Sequence, residues 1–369
     1  MKTVSVAFCF NNSYCPLAAG AISSLIRYTT NSNQYDIYIV QDDISEHNRY
    51  LINTLNGKQN VKIIFKAIEL DNFTSEDINY TRHSKYAFAR LFFHKLFPEL
   101  DKILYLDSDI IVTSDIAEIF NQSLDGCAIG ACLDPFVAQS GIEKLKAGKF
   151  VPTIPGFDDY KYNYDYFSRY LNLNDSDITT YFNSGMILLN LKKAGEKLDI
   201  ELPFLLKKRY VMPDQDVLNI IFKDDKKILE QRFNVFDSRS HRFISENHEY
   251  PVVIHYNGRM KPTLTMTKPM AYRYWEEIYQ THYYYPAIEN FINRKISQIP
   301  DKTNDPHTIE NLFYNLKRFN KIHRRRKLIR LVIRLLVDGK KYKKLKRDPG
   351  RFFADSKNSF IRFLGRYYN

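Results

Sequence analysis

Short runs of β-branched and aromatic residues alternate along this chain with stretches whose apolar positions recur at helical spacing. That alternation is the pattern of a parallel sheet with helices on its faces. The runs at residues 4–10, 35–40, 61–67, 102–106, 127–132, 186–189 and 252–255 predict strands. Pro16 can open a helix, where its missing N–H would have no partner anyway, and Ala21, Leu25 and Tyr28 follow at helical spacing. Ser45 is a candidate N-cap for a helix ending near Gly57, residues 84–97 read as helical up to Pro98, and a further helix starts near Pro213. No internal repeat of about 20 to 50 residues interrupts this order. The sheet domain is expected to close near residue 265, and residues 301–306 read as a linker.

Aromatics supply 15% of the 369 residues, including 27 Tyr and 26 Phe, which excludes a disordered chain and allows a sizeable core. The net charge of +12 is unevenly placed: residues 301–369 carry 20 Lys and Arg against 6 Asp and Glu, leaving 34 against 36 in the rest. A nearly neutral body with a basic tail points to an acidic surface as the tail's partner. Within that tail Arg326, Arg330 and Arg334 recur every four residues, with Leu328, Leu331, Val332 and Leu335 on other faces of the same helix. Lys343, Lys344, Lys346 and Arg347 then precede Phe352, Phe353, Phe360, Phe363, Tyr367 and Tyr368. Clustered cations with interfacial aromatics predict attachment to an anionic leaflet. No recognised RNA or DNA module accompanies them, so nucleic acid is not the expected partner.

Cys9, Cys15, Cys127 and Cys132 are too few and too irregularly spaced for a disulfide framework, which fits a reducing compartment. The first ten residues read as a buried strand rather than a signal peptide, and no apolar run approaches the roughly 20 residues of a membrane span. The expected location is therefore cytoplasmic, peripheral on the inner face of the plasma membrane.

Chemistry enters at Leu104-Tyr105-Leu106-Asp107-Ser108-Asp109-Ile110-Ile111-Val112, where two carboxylates interrupt an apolar strand at its carboxyl end. An extended chain puts alternate side chains on one face, so Asp107 and Asp109 can converge on one cation. Hard oxygen ligands suit Mg²⁺ or Mn²⁺, which would bridge nucleotide-sugar phosphates. The plain alternative is a polar turn. In Ile254-His255-Tyr256-Asn257-Gly258-Arg259-Met260-Lys261-Pro262, His255 can complete a metal shell, Gly258 lets backbone approach phosphate, and Lys261 can neutralise diphosphate charge. A capped strand and surface turn would read the same way.

These two motifs, with Phe182-Asn183-Ser184-Gly185-Met186 and Pro213-Asp214-Gln215-Asp216-Val217-Leu218-Asn219, resemble glycosyltransferase family 8 over residues 4 to 290. The similarity is greatest to bacterial lipooligosaccharide and lipopolysaccharide α-galactosyltransferases and their glucosyl relatives. It implies an α/β fold of the GT-A type, a nucleotide-diphospho-sugar transferase with a Rossmann-like mixed sheet and helices on both faces, followed by a basic helical C-terminal tail. The implied division is a catalytic domain at 1–265, a helical extension packed on it at 266–300 and a basic amphipathic membrane-associating tail at 301–369.

Residue by residue, the resemblance implies that Asp107, Asp109 and His255 hold Mn²⁺, or Mg²⁺, and that Gly258 and Lys261 bind the donor diphosphate, with Ser108 lining the same donor site. It implies that Arg90 reaches the donor, that Asn183 and Asp214 hold its sugar, that Gln215 lies beside the anomeric carbon, and that Asp134 faces the acceptor. From residue type alone, Arg90 can equally salt-bridge its helix to the sheet, Asn183 satisfy backbone groups at a strand entrance and Asp214 cap a helix. The implied donor is UDP-galactose or UDP-glucose, and the implied acceptor is a lipid-linked glycan. The chain departs from the family at Asn11-Asn12-Ser13-Tyr14, where Asp-Asp-Asn-Tyr is usual. An amide can still bond a uracil edge, so Asn11, Ser13 and Tyr14 remain candidate nucleotide contacts. The altered loop also motivates a rival reading, a catalytically silent nucleotide-sugar-binding subunit.

Overall fold

The computed structural model describes residues 2–68, 85–147, 163–258, 261–263, 269–279 and 281–297. The basic tail lies outside the described residues. The chain divides into two compact units between Asn257 and Gly258.

The described residues of the first unit form ten strands: β1 (Lys2–Cys9), β2 (Asn33–Gln41), β3 (Val61–Ala67), β4 (Lys102–Leu106), β5 (Ile110–Val112), β6 (Ile129–Leu133), β7 (Phe182–Asn190), β8 (Lys226–Ile228), β9 (Val235–Phe236) and β10 (Val253–His255). Seven form a sheet in the order β3-β2-β1-β4-β7-β6-β8, and β5-β10-β9 form a smaller one. Strands β3, β2, β1 and β4 run parallel, whereas β7 is antiparallel to both β4 and β6. The sheet is therefore mixed, as the resemblance implied, and the parallel pattern read from the alternation of elements ends at β7. All but the last residue of β7 are buried, which matches its nearly unbroken apolar run and cover on both faces. At edge strand β3 six of seven positions are half-buried or exposed, and the exposed Lys62 and half-buried Lys66 place charge on the edge, which discourages edge pairing.

β1 pairs with β2 on one side and β4 on the other, so the chain winds away in one direction and then returns to the other side. Such a switch point opens a crevice at the carboxyl ends of the two strands, where open α/β sheets bind ligands. The loop after β1 and the loop after β4 both start there. The helix Cys15–Tyr28 follows the first of these loops, with proline in its first turn as expected. It buries Ala21, Ile22 and Leu25 and packs against β5, whose Val112 N–H donates to Ser24 Oγ at 3.0 Å.

Strand β7 begins at Phe182, four residues ahead of the expected start, and three further elements differ. Ser45 caps its helix by accepting from Asn48 N, yet the helix ends at Asn53, because Asn56 turns the chain: its Nδ2 donates to Val61 O and its Oδ1 accepts from Lys58 N. Residues 85–96 form two short helical pieces around a 3-10 turn at Ala89–Phe92 rather than one helix. Tyr86, Phe88, Leu91, Phe92, Phe93 and Phe97 are all buried, more directions than one helical stripe can serve, so the chain tightens midway. Strand β6 begins at Ile129 instead of Cys127, because Asp125 and Gly126 form a left-handed turn just before it.

In the second unit the described residues include the helices Ala271–Ile278 and Tyr284–Ser297. They close over Trp275, which is fully buried with its ring edge-on to those of Tyr274 and Phe291. Among the described residues no helix is long and apolar enough to cross a membrane.

Candidate functional site

Asp107 and Asp109 sit in the break between β4 and β5, not within one extended strand. Their convergence comes from tertiary pairing rather than strand alternation, which corrects the expectation. Asp107 N donates to Gly185 O on β7 at 2.8 Å, and Asp109 O accepts from Tyr256 N at 2.8 Å. The antiparallel register of β10 on β5 sets His255 opposite Ile110, the residue after Asp109. His255 Nε2 consequently lies 3.5 Å from Asp109 Oδ1 and 3.7 Å from Asp107 Oδ2. One ligand atom from each residue falls within 4.8 Å of the others. His255 and Asp109 are buried, while the Asp107 side chain is 25% exposed, so the cluster opens to solvent on Asp107's side. Two carboxylates and an imidazole nitrogen form an N,O donor set that suits a divalent cation such as Mn²⁺.

Room for that cluster is made by Gly185. A Cβ there would stand 2.3 Å from His255 Cε1 and 2.9 Å from Asp107 Oδ2, so β7 can pass behind the cluster only with glycine at this position. The motif Asn183-Ser184-Gly185 contained the signal, but nothing local said which side chains the glycine would face.

Arg90 joins the Asp107–Asp109–His255 cluster to the neighbouring helix. Its Nη2 donates to Asp107 Oδ1 at 2.9 Å, its Nη1 to Ser184 O at 2.6 Å, and Nη1 lies 3.4 Å from Asp214 Oδ2. The guanidinium stacks 4.0 Å above the Tyr105 ring, and the Tyr105 hydroxyl donates to the same Asp107 oxygen. Burial works against the charge of Arg90, but Tyr105, Asp107 and Asp214 together more than offset it and hold its pKa above the ordinary range. Arg90 is thus a fixed cation that ties its segment to the sheet and to Asp214, contacts that the structural alternative, a salt bridge from helix to sheet, also accounts for.

Asp214 and Gln215 occupy the first turn of the helix Pro213–Ile221. Asn219 docks that helix on the start of β7: it donates to Phe182 O and accepts from Phe182 N, both at 2.9 Å. Ser184 Oγ donates to Asp214 Oδ2, and Ser184 N donates to Gln215 Oε1. Asn183 Nδ2 donates to Gln215 Oε1 at 2.9 Å and to Asp134 Oδ2 at 3.4 Å; Gln215 Nε2 reaches the same Asp134 oxygen at 3.2 Å. Asp134 also accepts from Phe136 N and Val137 N at the end of β6, and burial raises its pKa above the usual carboxylate range. Asn234, just before β9, donates to Asn183 Oδ1 and accepts from His255 Nδ1.

Arg90, Asp107, Asp109, Asp134, Asn183, Asp214, Gln215 and His255 are therefore brought together from β4, β6, β7, β10 and two helical segments. Ser108 is buried between its acidic neighbours in the chain. Asn11, Ser13 and Tyr14 stand on the loop after β1, at the sheet end where Asp107 follows β4. Asn11 Oδ1 is engaged locally, accepting from Ser13 Oγ and Tyr14 N, while the Tyr14 ring is 43% exposed. Gly258 and Lys261 belong to the second unit, where Gly258 adopts φ +79°, the left-handed region that favours glycine.

Sequence reasoning passed over Gly185, Asn219, Asn234, Tyr105 and Asp216. Asp216 is fully buried, accepts from Tyr166 and Tyr181 hydroxyls and from Met212 N, and burial pushes its pKa up to about 6. It anchors the helix whose preceding two residues face Ser184. Asp216 and Asn219 lay within the quoted Pro-Asp-Gln-Asp motif; Asn234 carried no signal in its own segment.

The family described as glycosyl transferase family 8 matches residues 5–265 of the chain. A lipopolysaccharide 1,2-glucosyltransferase of Escherichia coli strain K12 is 26% identical over 302 residues, covering 78% of each protein. Among solved structures, the bifunctional glycosyltransferase WbbM superposes with a TM-score of 0.66 at 24% identity, covering 78% of this chain and 52% of that one. The galactosyltransferase LgtC, solved with donor and acceptor sugar analogues, gives a TM-score of 0.55 at 20% identity over 76% of this chain and 96% of its own. The chain thus spans about half of WbbM and most of the other two.

Proposed function

The chain belongs to glycosyltransferase family 8, and from that premise we propose that it is a retaining hexosyltransferase that moves galactose, or else glucose, from a UDP-sugar to a lipooligosaccharide, lipopolysaccharide or capsule glycan with Mn²⁺ assistance. The observation that carries this reading is the convergence of Asp107, Asp109 and His255 beside the Arg90–Asp214 pair, at the carboxyl end of the sheet's switch point. Asp107, Asp109 and His255 would hold a divalent cation, which would supply Lewis-acid charge to stabilise the departing diphosphate.

The remaining work falls to the chain's own groups. Arg90 keeps a fixed positive charge on the donor side and holds Asp107 and Asp214 in place. Gln215 presents a neutral amide, braced by Ser184 N and Asn183, toward the sugar's electron-poor anomeric centre. Asn183 and Asp214 grip the sugar, and Asp134 faces the acceptor. Both carboxylates of the helix are already engaged, Asp214 by Ser184 and Arg90 and Asp216 by two tyrosines, which disfavours either as a covalent nucleophile. We therefore read the reaction as front-face transfer, with the departing phosphate taking the acceptor's proton; a trapped glycosyl adduct on Asp214 would overturn it. The tail at 301–369 holds the enzyme on an anionic membrane surface, at the cytoplasmic face where lipid-linked acceptors are available.

The test is UDP release from UDP-galactose and UDP-glucose with Mn²⁺, comparing wild type, Asp109→Ala and a chelator control. Metal-dependent release lost in the variant supports the transferase and identifies the donor. Donor binding without turnover, with or without glycan acceptors, would favour the silent subunit.

A further inference from the structure

Two backbone N–H groups at the start of β7 fix the direction of a whole chain of side-chain amides, because a backbone N–H can only donate. Gly185 N donates to the side-chain oxygen of Asn183 at 3.0 Å, and Ser184 N donates to that of Gln215 at 3.1 Å. Asn183 must then turn its Nδ2 toward Gln215 Oε1, 2.9 Å away. With Asn183 Oδ1 an acceptor, the Asn234 atom 2.9 Å from it is Nδ2, and the Asn234 atom facing His255 Nδ1 at 3.0 Å is the oxygen. An amide oxygen only accepts, so His255 carries its proton on Nδ1. In the neutral ring Nε2 is left as a bare lone pair, directed at Asp109 Oδ1 and Asp107 Oδ2. Three acceptors facing one another is an arrangement that a cation completes.

We infer that Asn234 is a positioning residue that selects the Nδ1–H tautomer of His255 and couples that ring to Asn183. The inference rests on the metal reading given under Proposed function. The relay has one favourable setting. Turning Asn234 over to suit the other tautomer would bring two amide oxygens face to face at 2.9 Å, in a place where Asn234 is 1% exposed and water cannot relieve the contact. The polarity of β7 is thereby transmitted through Asn183 and Asn234 to the ligand nitrogen of His255. A donor sugar that reorients Asn183 acts on the same relay, so the grip on the sugar and the presentation of the imidazole are linked.

Nitrogen-15 histidine spectra of the metal-free protein at mildly alkaline pH read the tautomer directly, and His255→Gln identifies the His255 signals among the nine histidines. Wild type is expected to show Nδ1–H at His255. Asn234→Leu removes both the acceptor and the donor: the tautomer preference is lost and Mn²⁺ affinity, measured by paramagnetic resonance without donor, falls about 10- to 100-fold. Asn234→Asp still accepts from Nδ1 but offers Asn183 an oxygen instead of an N–H. It is expected to keep the tautomer and the Mn²⁺ affinity while the KM for donor rises. An Nε2–H tautomer in wild type, or Asn234→Leu with unchanged tautomer and affinity, overturns the relay. Wild type with the Nδ1–H tautomer, lost in Asn234→Leu, but without Mn²⁺ uptake overturns the metal reading and leaves the relay supported.

Discussion

Gly185 passes so close behind His255 that a Cβ on the glycine would meet Cε1 of the ring at 2.3 Å, well inside any real contact. The neighbouring ring atom Nδ1, 2.9 Å from the same Cβ, is tied to Asn234 at 3.0 Å, so moving the ring away would cost that hydrogen bond. Gly185→Ala is therefore expected to destabilise the fold by about 1–3 kcal/mol through overpacking and to weaken Mn²⁺ binding by about 10-fold or more. Chemical denaturation and metal titration of the same variant check both. Wild-type affinity in the alanine variant would show that the cluster is not set by β7.

Arg90 is a buried cation shared by two carboxylates and a carbonyl. Arg90→Met leaves Asp107 and Asp214 without that charge, and the expected loss of stability is about 3 kcal/mol. Arg90→Lys should recover only part of it, since an ammonium cannot fork to Asp107 and Ser184 at once. Urea unfolding of the two variants reads the difference, and equal stability of Lys and Arg proteins would contradict the bridging role.

Asp216 gives a pH signature. Burial pushes its pKa up to about 6, above the ordinary carboxylate value of about 3.8 kept by the unfolded chain, so the folded protein binds this proton more tightly. Its contribution is most favourable below the unfolded value, declines as pH rises through the window between the two, and is flat above about 6. The decline amounts to at most about 3 kcal/mol. Asp216→Asn should remove that slope, seen as the difference between wild-type and variant unfolding free energies across the window; parallel profiles would refute the assignment.

Membrane attachment through the tail is electrostatic in the proposed reading. Replacing Lys343, Lys344, Lys346 and Arg347 with glutamine is expected to weaken binding to phosphatidylglycerol vesicles by several fold per charge, at roughly 1 kcal/mol each. UDP release in solution should be unchanged. Vesicle sedimentation at two salt concentrations measures it, and retention of full, salt-independent binding would point to a contact elsewhere.

Much of the site was legible because its residues sit in short, dense motifs. Asp107 and Asp109 interrupt apolar sequence and His255 ends a strand run, each visible from neighbouring residues alone, whereas Asp214 and Gln215, after a helix-opening proline, were singled out by the resemblance. The first turn of Pro213–Ile221 and the cap at Ser45 formed where local rules put them. The helix through residues 85–96 broke because burial of six apolar side chains in several directions outweighed helical propensity.

What the sequence determined by itself was the list of chemical groups and the alternation of elements, since composition, caps and hydrophobic period are properties of adjacent residues. What only the tertiary structure decided was which of those groups meet. Asp107 and Asp109 converge because Gly185 O and Tyr256 N each fix one of them, and His255 reaches them because β10 adds antiparallel to β5. Asn234 is connected to Asn183 across 51 residues and to His255 across 21. Strand register and buried hydrogen bonds between distant segments are set by packing of the whole unit, and no window of neighbouring residues contains them.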